Sequence, residues 1–407
     1  MKILLINKHY YRKGGAETVF FNTKELLEKN GHEVVVFSMK HIDNEESKDE
    51  KYFVSFVDIT TLRGWYYKMF RFLYNVKASS NLKKLIKAEK PDLAHFHNVY
   101  HQLTYSIIKP LKKYKIPIVE TLHDYHLISP NYHLYHDGEI CERSRDGNYL
   151  KSIFHRCIGH SFIKSFAGAL NSYLYKIQKI SHNIDLFISP SLFLKKKYVE
   201  FGFKGEIQVV NNSIELSDYQ PNYEPGDYVL FFGRLSVEKG LLDLLKVMTR
   251  LPDIKLKIAG SGPQEKELKK FVIVHDMKNI EFTGRLNKRE LNNEISNCAF
   301  VVVPSVWYEN YPMTVIESMA MGKPVLATGI GGLSEMIIKG ETGDLVKLGN
   351  IQEWESLIKT YFLNKEKLKL MGENARVVVE ENNSHDKYYQ ELLGVYQGLI
   401  NKKISLG

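Results

Sequence analysis

The chain has 407 residues and a mass of 47.2 kDa, a length that suits two domains of about 200 residues each better than one. Its 44% hydrophobic and 25% charged residues belong to a globular protein and exclude disordered and fibrous classes. The net charge of +9 is uneven: residues 1–210 hold 32 Lys+Arg against 21 Asp+Glu, or +11, which leaves 24 and 26, or −2, for the rest. Nucleic acid and an anionic membrane are the conventional partners of such a basic half.

Three cysteines, Cys141, Cys157 and Cys298, provide no disulfide framework and fit a reducing compartment. The longest uncharged run, Leu93 to Ile108, carries His95, His97, Asn98, His101 and Gln102, which excludes a membrane span. Ile3-Leu4-Leu5-Ile6 is interrupted by Asn7 and Lys8 before a signal-peptide core forms, so it reads as a first buried strand. The expected location is cytoplasmic.

Strand-like runs at Lys2–Asn7, His32–Ser38, Phe53–Ile59, Leu93–Asn98, Ile116–Thr121, Leu186–Ser191 and Ile207–Asn211 are separated by helix-length segments, the first from about Gly15 to Asn30. Such alternation implies right-handed βαβ units and a doubly wound parallel sheet. The first βα turn holds Gly14-Gly15-Ala16-Glu17, where a glycine pair either lets a ligand approach the backbone at a helix N-terminus or simply makes a turn. Eight cations from Arg63 to Lys90 interleave with Trp65, Tyr66, Tyr67, Phe70 and Phe72, with Glu89 as the single acid. This tract is either an interfacial membrane helix or a core-packing helix with a solvated basic face. The acid-free tract from Tyr149 to Lys179 poses the same choice. Between them His123 and Asp124 stand at the carboxyl end of a strand, the ligand edge of a parallel sheet. His123 is a site candidate or a buried structural histidine, and Asp124 is expected to orient nearby backbone.

Asn211 to Gly226, rich in Asn, Ser and Pro, reads as an interdomain linker. A second strand series at Tyr228–Phe232, Lys255–Ala259, Ile280–Thr283, Phe300–Val303, Pro324–Thr328 and Asp344–Leu348 predicts a second parallel sheet. After its first strand come Arg234 and Lys239, a planar fork and a point charge suited to a diphosphate. Glycine turns at Gly260-Ser-Gly-Pro263, Gly284-Arg285 and Gly329-Ile-Gly-Gly332 stand at later strand ends. Trp307–Gly322 carries Glu309 and Glu317 around a helix predicted to start near Met313, with Val315, Ile316, Met319 and Ala320 as its buried stripe. The unpaired amides of residues 310 to 313 suit phosphate oxygens, and the carboxylates suit hydroxyls on either side, as in a sugar–diphosphate–ribose. Alternatively, Glu309 caps the helix and Glu317 faces solvent.

In that order, Gly-Gly-Ala-Glu, Thr-Leu-His-Asp, Gly-Arg-Leu-x4-Lys-Gly, Gly-Ser-Gly-Pro and Glu-x7-Glu make the sequence resemble the retaining glycosyltransferases of family 4, also called group 1, over nearly its whole length. The resemblance implies an α/β GT-B fold: two Rossmann-like parallel-sheet domains facing across a cleft. Residues 1–214 would form the acceptor-side domain, rejoined by a crossover helix within 384–407, and residues 215–383 would hold the nucleotide-sugar. It further implies that Arg234 and Lys239 bind the diphosphate, Glu317 the ribose and Glu309 the transferred sugar. Gly260 and Gly262 would line the donor site, and the amides of Asn310, Tyr311 and Met313 would contact sugar and phosphate. Tyr311-Pro312 replaces the Phe-Gly of many members, and Pro312 removes one donor. His123 would reach the sugar from the other domain, and Gly15 would lie near donor or acceptor.

Some relatives place four cysteines after the His-Asp motif; here the aligned positions are Ser129, Cys141, Ser144 and Cys157, too few thiols for a structural zinc. The chain also has no Asp-x-Asp, so no metal or other cofactor is expected. The implied reaction is transfer to a glycan or lipid-linked acceptor in surface polysaccharide synthesis, at an anionic inner membrane face contacted through Arg63–Lys90. Nucleic acid is not an expected partner, since no base-reading module is visible. A nucleotide-sugar epimerase of the same fold and a non-catalytic membrane-associated scaffold are the alternatives.

Overall fold

The computed structural model describes residues 1–57 and 70–405. In chain order the strands are β1 (Lys2–Ile6), β2 (Glu33–Phe37), β3 (Met39–Lys40), β4 (Val54–Ser55), β5 (Leu93–Phe96), β6 (Ile118–Thr121), β7 (Tyr135–His136) and β8 (Glu139–Ile140). They continue as β9 (Leu186–Ser189), β10 (Ile207–Val209), β11 (Tyr228–Phe232), β12 (Lys255–Ala259), β13 (Ile280–Gly284), β14 (Phe300–Val303), β15 (Val325–Thr328) and β16 (Gly343–Val346). The chain folds as two compact units, one of Met1–Tyr132, Arg143–Val210 and Tyr388–Gly407, the other of His133–Glu142 and Asn211–Lys387. Among the described residues no helix is long and apolar enough to cross a membrane.

The first unit is built on a parallel six-stranded sheet of order β10-β9-β6-β5-β1-β2. Its central strands are continuous apolar runs because helices cover both faces, and Ile3, Leu4, Leu5 and Ile6 are all fully buried. The strand order turns back on itself between β1 and β5, the position at which doubly wound sheets open a crevice for ligands. The Gly15–Lys29 helix buries Val19, Phe20, Leu26 and Leu27 against this sheet. The final helix, His385–Ser405, adds Tyr388, Leu392, Val395 and Tyr396 to the same core at i, i+4, i+7 and i+8. Two buried hydroxyls pin it, Tyr388 to Thr23 Oγ1 at 2.9 Å and Tyr396 to His95 Nδ1 at 2.7 Å.

Two readings of the sequence are corrected in the described residues. The run expected as a strand over Phe53–Ile59 gives β4, which pairs with β3 outside the main sheet; residues 58 and 59 lie outside the described residues. The stretch expected as a linker, 211–226, is packed onto the second unit. Ile214 and Tyr219 are buried in its core, and Ile214 N donates to Asn383 O at 3.0 Å. The change in composition marks the boundary between the units at Val210 and Asn211, and two large apolar side chains among the polar ones are enough to dock the segment.

The second unit repeats the architecture with a parallel sheet of order β13-β12-β11-β14-β15-β16. Here the order reverses between β11 and β14, neighbours in space separated by helices and two strands in sequence. Leu241, Leu244, Leu245 and Met248 pack with one cluster of core residues, and Val315, Ile316, Met319 and Ala320 with another. Within the same unit β7 and β8 form an antiparallel hairpin closed by Asp137-Gly138, both at positive φ, the turn that two-residue hairpins favour.

Candidate functional site

In the second unit the loop after β11 and the loop after β14 leave the sheet side by side at its reversal point. They are stitched together by backbone, with Val306 N donating to Glu238 O at 2.9 Å. This brings Lys239 to Glu309, with Nζ 2.6 Å from Oε1, across 70 positions of sequence. Ser305 Oγ donates to the same carboxylate oxygen at 2.6 Å, and the Lys239 ammonium lies 5.6 Å from the centre of the Trp307 ring. Burial pushes the Glu309 carboxyl up, but the Lys239 ammonium and the Ser305 hydroxyl outweigh it and hold the group below the usual carboxylate range. Glu309 therefore does not cap the following helix; it is a buried carboxylate held by a cation.

The Met313–Ala320 helix begins where sequence places it, with Pro312 as N-cap, extended backbone there and no side-chain cap. Val315 N returns to Pro312 O at 3.2 Å, so the amides of Met313 and Thr314 stand ahead of the first internal bond. The other end is held by Arg376, whose Nη1 donates to Ala320 O at 2.6 Å and Tyr219 O at 2.9 Å. Tyr311 is anchored at both ends, its carbonyl accepting from Asn212 Nδ2 at 3.1 Å and its hydroxyl from Asn383 Nδ2 at 2.9 Å. Met313 packs beside it on the core, and Asn310 and Pro312 are half-buried. Glu317, half-buried one turn into the helix, accepts from the Tyr219 hydroxyl at 3.4 Å. Burial raises its pKa, opposed by that hydrogen bond and by Lys288.

Arg234 is exposed, and among the described residues its guanidinium makes no ion pair or hydrogen bond. Gly260 and Gly262 serve a purpose the sequence did not show. A Cβ on either would overlap the backbone of Gly233 or Leu235, so these glycines let two strand-end loops touch each other, with Leu235 N donating to Ser261 O at 3.1 Å. The Gly329-Ile-Gly-Gly332 turn likewise fits under the Glu309 loop, where Gly332 N donates to Glu309 O at 2.7 Å. The β7–β8 segment supplies contacts that sequence reasoning missed: Tyr308 OH donates to Glu142 Oε1 at 3.0 Å, and His133 packs on Trp307 with ring centres 5.2 Å apart.

In the first unit the loops at the reversal between β1 and β5 carry a second polar cluster. His97 Nδ1 and His123 Nε2 are 2.9 Å apart. His97 Nε2 is buried without a partner, and a bare lone pair there costs less than an orphaned N–H. We therefore assign the shared proton to His97 Nδ1, which makes His123 accept at Nε2 and carry its own proton on Nδ1. Burial lowers His97 well below the ordinary histidine value and takes His123 down to about 4, so both rings are neutral at pH 7. Asp124 does orient backbone, accepting from His126 N at 2.9 Å, and it also accepts from His126 Nδ1 at 2.7 Å and from the Tyr100 hydroxyl. Burial alone would raise its pKa; those partners take it far below the carboxylate range. Lys8, noticed in the sequence only as the end of an apolar run, lies 3.6 Å from the centre of the Tyr100 ring, and burial lowers its pKa to about 8. Gly15 opens its helix with no atom within 4 Å of where a Cβ would sit, so its neighbourhood is open.

Two expectations about other segments can be compared with the described residues. Arg63 to Met69 lie outside them. Of the rest of that tract, the Val76–Glu89 helix buries Ala78, Leu82, Leu85 and Ile86 and exposes Lys77, Lys83, Lys84 and Lys87, so it packs on the core with a solvated basic face. At the four aligned positions Ser144 Oγ donates to Ser129 Oγ at 2.9 Å, and Cys141 and Cys157 are buried and form no disulfide.

The family model described as Glycosyltransferase Family 4 matches residues 13–218, about half of the chain, and that described as Glycosyl transferases group 1 matches residues 214–378. An uncharacterized 42.6 kDa protein in the cps region of Klebsiella pneumoniae is 28% identical over 354 residues, covering 83% of this chain and 87% of the other. Sucrose-phosphate synthase from Thermosynechococcus elongatus superimposes with a TM-score of 0.74 at 18% identity, covering 98% of this chain and 99% of that one. HepE from Anabaena, solved in complex with UDP and glucose, gives 0.67 at 18% identity over 98% and 99%.

Proposed function

The chain belongs to glycosyltransferase family 4, and from that premise we propose that it moves a sugar from a nucleotide-sugar donor to a glycan or lipid-linked glycan in surface polysaccharide synthesis, with retention of anomeric configuration and without a metal. The observation that carries this reading is the Lys239–Glu309 pair at the reversal point of the second sheet, 2.6 Å apart beside a helix N-terminus. A cation, a free guanidinium at Arg234 and the leading amides of Met313 and Thr314 provide preorganised positive potential for a departing diphosphate. Glu309, kept ionised by Lys239, accepts hydrogen bonds from hydroxyls of the transferred sugar, and Glu317 does so for the ribose. The HepE complex with UDP and glucose supports a donor of this class. In the first unit we assign His123 to the sugar as a neutral donor through Nδ1, and Gly15, whose surroundings are open, to contact with donor or acceptor.

Leaving-group stabilisation without a metal rests on these cations and on the absence of Asp-x-Asp from the sequence. Retention follows from attack on the face the diphosphate leaves, through an oxocarbenium-like state. The exposed lysines of the Val76–Glu89 helix attract an anionic membrane bearing the acceptor. A thermal-shift screen of nucleotide-sugars identifies the donor, since a ligand that binds only the folded state raises its stability. NMR of the product reads the anomeric centre: a retained configuration is expected, and an inverted one defeats the mechanism.

A further inference from the structure

The first unit carries a helix, Phe162–Ile177, whose amphipathicity is turned inside out. The side it buries holds Ser165, Ala169, Ser172 and Tyr175, at spacings of four, three and three. The opposite stripe reads Ile163, Phe166, Leu170, Leu174 and Ile177, at spacings of three, four, four and three. Ile163 is 72% exposed, Phe166 49% and Ile177 74%. The preceding short helix, Leu150–Phe154, packs beside it through Ile153, Tyr149 and Ala169, and exposes Leu150 and Phe154, the latter 80%. A globular helix normally buries its apolar stripe, so a partner must cover this one.

The charges identify the partner. From Gly147 to Ile184 the chain has five Lys or Arg and no Asp or Glu. Arg156, Lys164 and Lys179 are exposed with no ion pair among the described residues. A second copy of the chain is a poor occupant, because a two-fold interface would set this cationic patch against itself. An apolar stripe flanked by unpaired cations fits an interfacial helix on anionic lipid. At 16 residues the helix is shorter than the roughly 20 needed to span a bilayer, so it lies on the surface. We propose that the Leu150–Phe154 and Phe162–Ile177 helices are the membrane-inserting surface, docking the first unit on anionic lipid through Phe154, Ile163, Phe166 and Ile177. This deepens the membrane-side location proposed above. The lysines of Val76–Glu89 add attraction, but their helix has already buried its apolar side.

The test is co-sedimentation of the full chain with vesicles of phosphatidylcholine alone and with about a third phosphatidylglycerol. Binding to the anionic vesicles is expected, weakened by salt. The Ile163→Gln/Phe166→Gln variant should lower it at least about tenfold, and Arg156→Glu/Lys164→Glu should abolish the preference for anionic lipid. All four side chains are exposed, so an unchanged thermal midpoint is expected to accompany the loss. Equal binding by wild type and both variants overturns the proposal. So does self-association of the wild type that Ile163→Gln/Phe166→Gln abolishes, since the second copy would then be the occupant. Nucleotide-sugar binding is measured in parallel. A chain that binds vesicles but no nucleotide-sugar fails the functional reading alone, and one that binds nucleotide-sugar but no vesicles fails this proposal alone.

Discussion

Lys239 and Glu309 answer for each other's burial, and this makes their removal informative. Lys239→Ala leaves a buried carboxylate with Ser305 as its partner, an expected loss of about 1–3 kcal/mol in denaturant unfolding. The cost stays below that of a fully buried pair because Lys239 is 22% exposed. Adding Glu309→Gln should recover part of it; two losses that simply add would mean the groups are not coupled. The pH dependence has a definite sign. Because the folded Glu309 pKa is depressed, its stabilisation is complete above the unfolded value of 4.5 and is lost as pH falls through the folded value. Glu309→Gln should therefore flatten the acid limb of stability below pH 4.5. If the donor diphosphate draws Lys239 away, burial acts on Glu309 with the Ser305 hydroxyl left to oppose it, the Glu309 pKa rises, and binding at acid pH should take up protons. Calorimetry in buffers of different ionisation heat reads that uptake, and a buffer-independent enthalpy would show that Lys239 stays on Glu309. At this scale the sequence revealed which residues face the ligand edge but not who pairs with whom. Glu309 was legible as a cap or a ligand because helix-start position is local, whereas its partner lies 70 positions away.

The same division holds for the elements. Apolar runs alternating with helix-length segments made both parallel sheets readable, since strands buried on both faces carry a continuous signal. The β7–β8 hairpin was missed although Asp137-Gly138 is a strong turn signal, because its strands are two residues long and carry no period. The linker's packing was missed because composition reports polarity and not the docking of Ile214 and Tyr219. Glycines at strand ends all looked alike in sequence, yet they divide into those that fit backbone against backbone and those that face open space. This division predicts opposite outcomes. Gly332→Ala forces a Cβ into Asn310 O and should destabilise the chain by about 1–3 kcal/mol. Gly15→Ala meets nothing within 4 Å and should change stability by less than about 0.5 kcal/mol. Any rise in KM for Gly15→Ala then reports a ligand; a large drop in its melting temperature would show that the glycine is structural instead.

For the whole molecule, two parallel sheets each reverse their strand order at an edge crowded with polar groups, and the chain returns through the final helix to close the first unit's core. The basic N-terminal half, which composition alone left between nucleic acid and membrane, resolves into a solvated lysine face and an apolar stripe ringed by cations. Sequence does not separate these, because both tracts read as basic and aromatic, whereas the Val76–Glu89 helix buries its apolar side and the Phe162–Ile177 helix exposes its own. The account stands on the second unit holding a nucleotide-sugar through Lys239, and calorimetric titration of the screened donor into wild type and Lys239→Ala tests it most directly. The account predicts that affinity falls at least about tenfold, the loss of one charge-assisted contact to the diphosphate, in a protein that remains folded at the titration temperature. An unchanged dissociation constant in folded Lys239→Ala would contradict it.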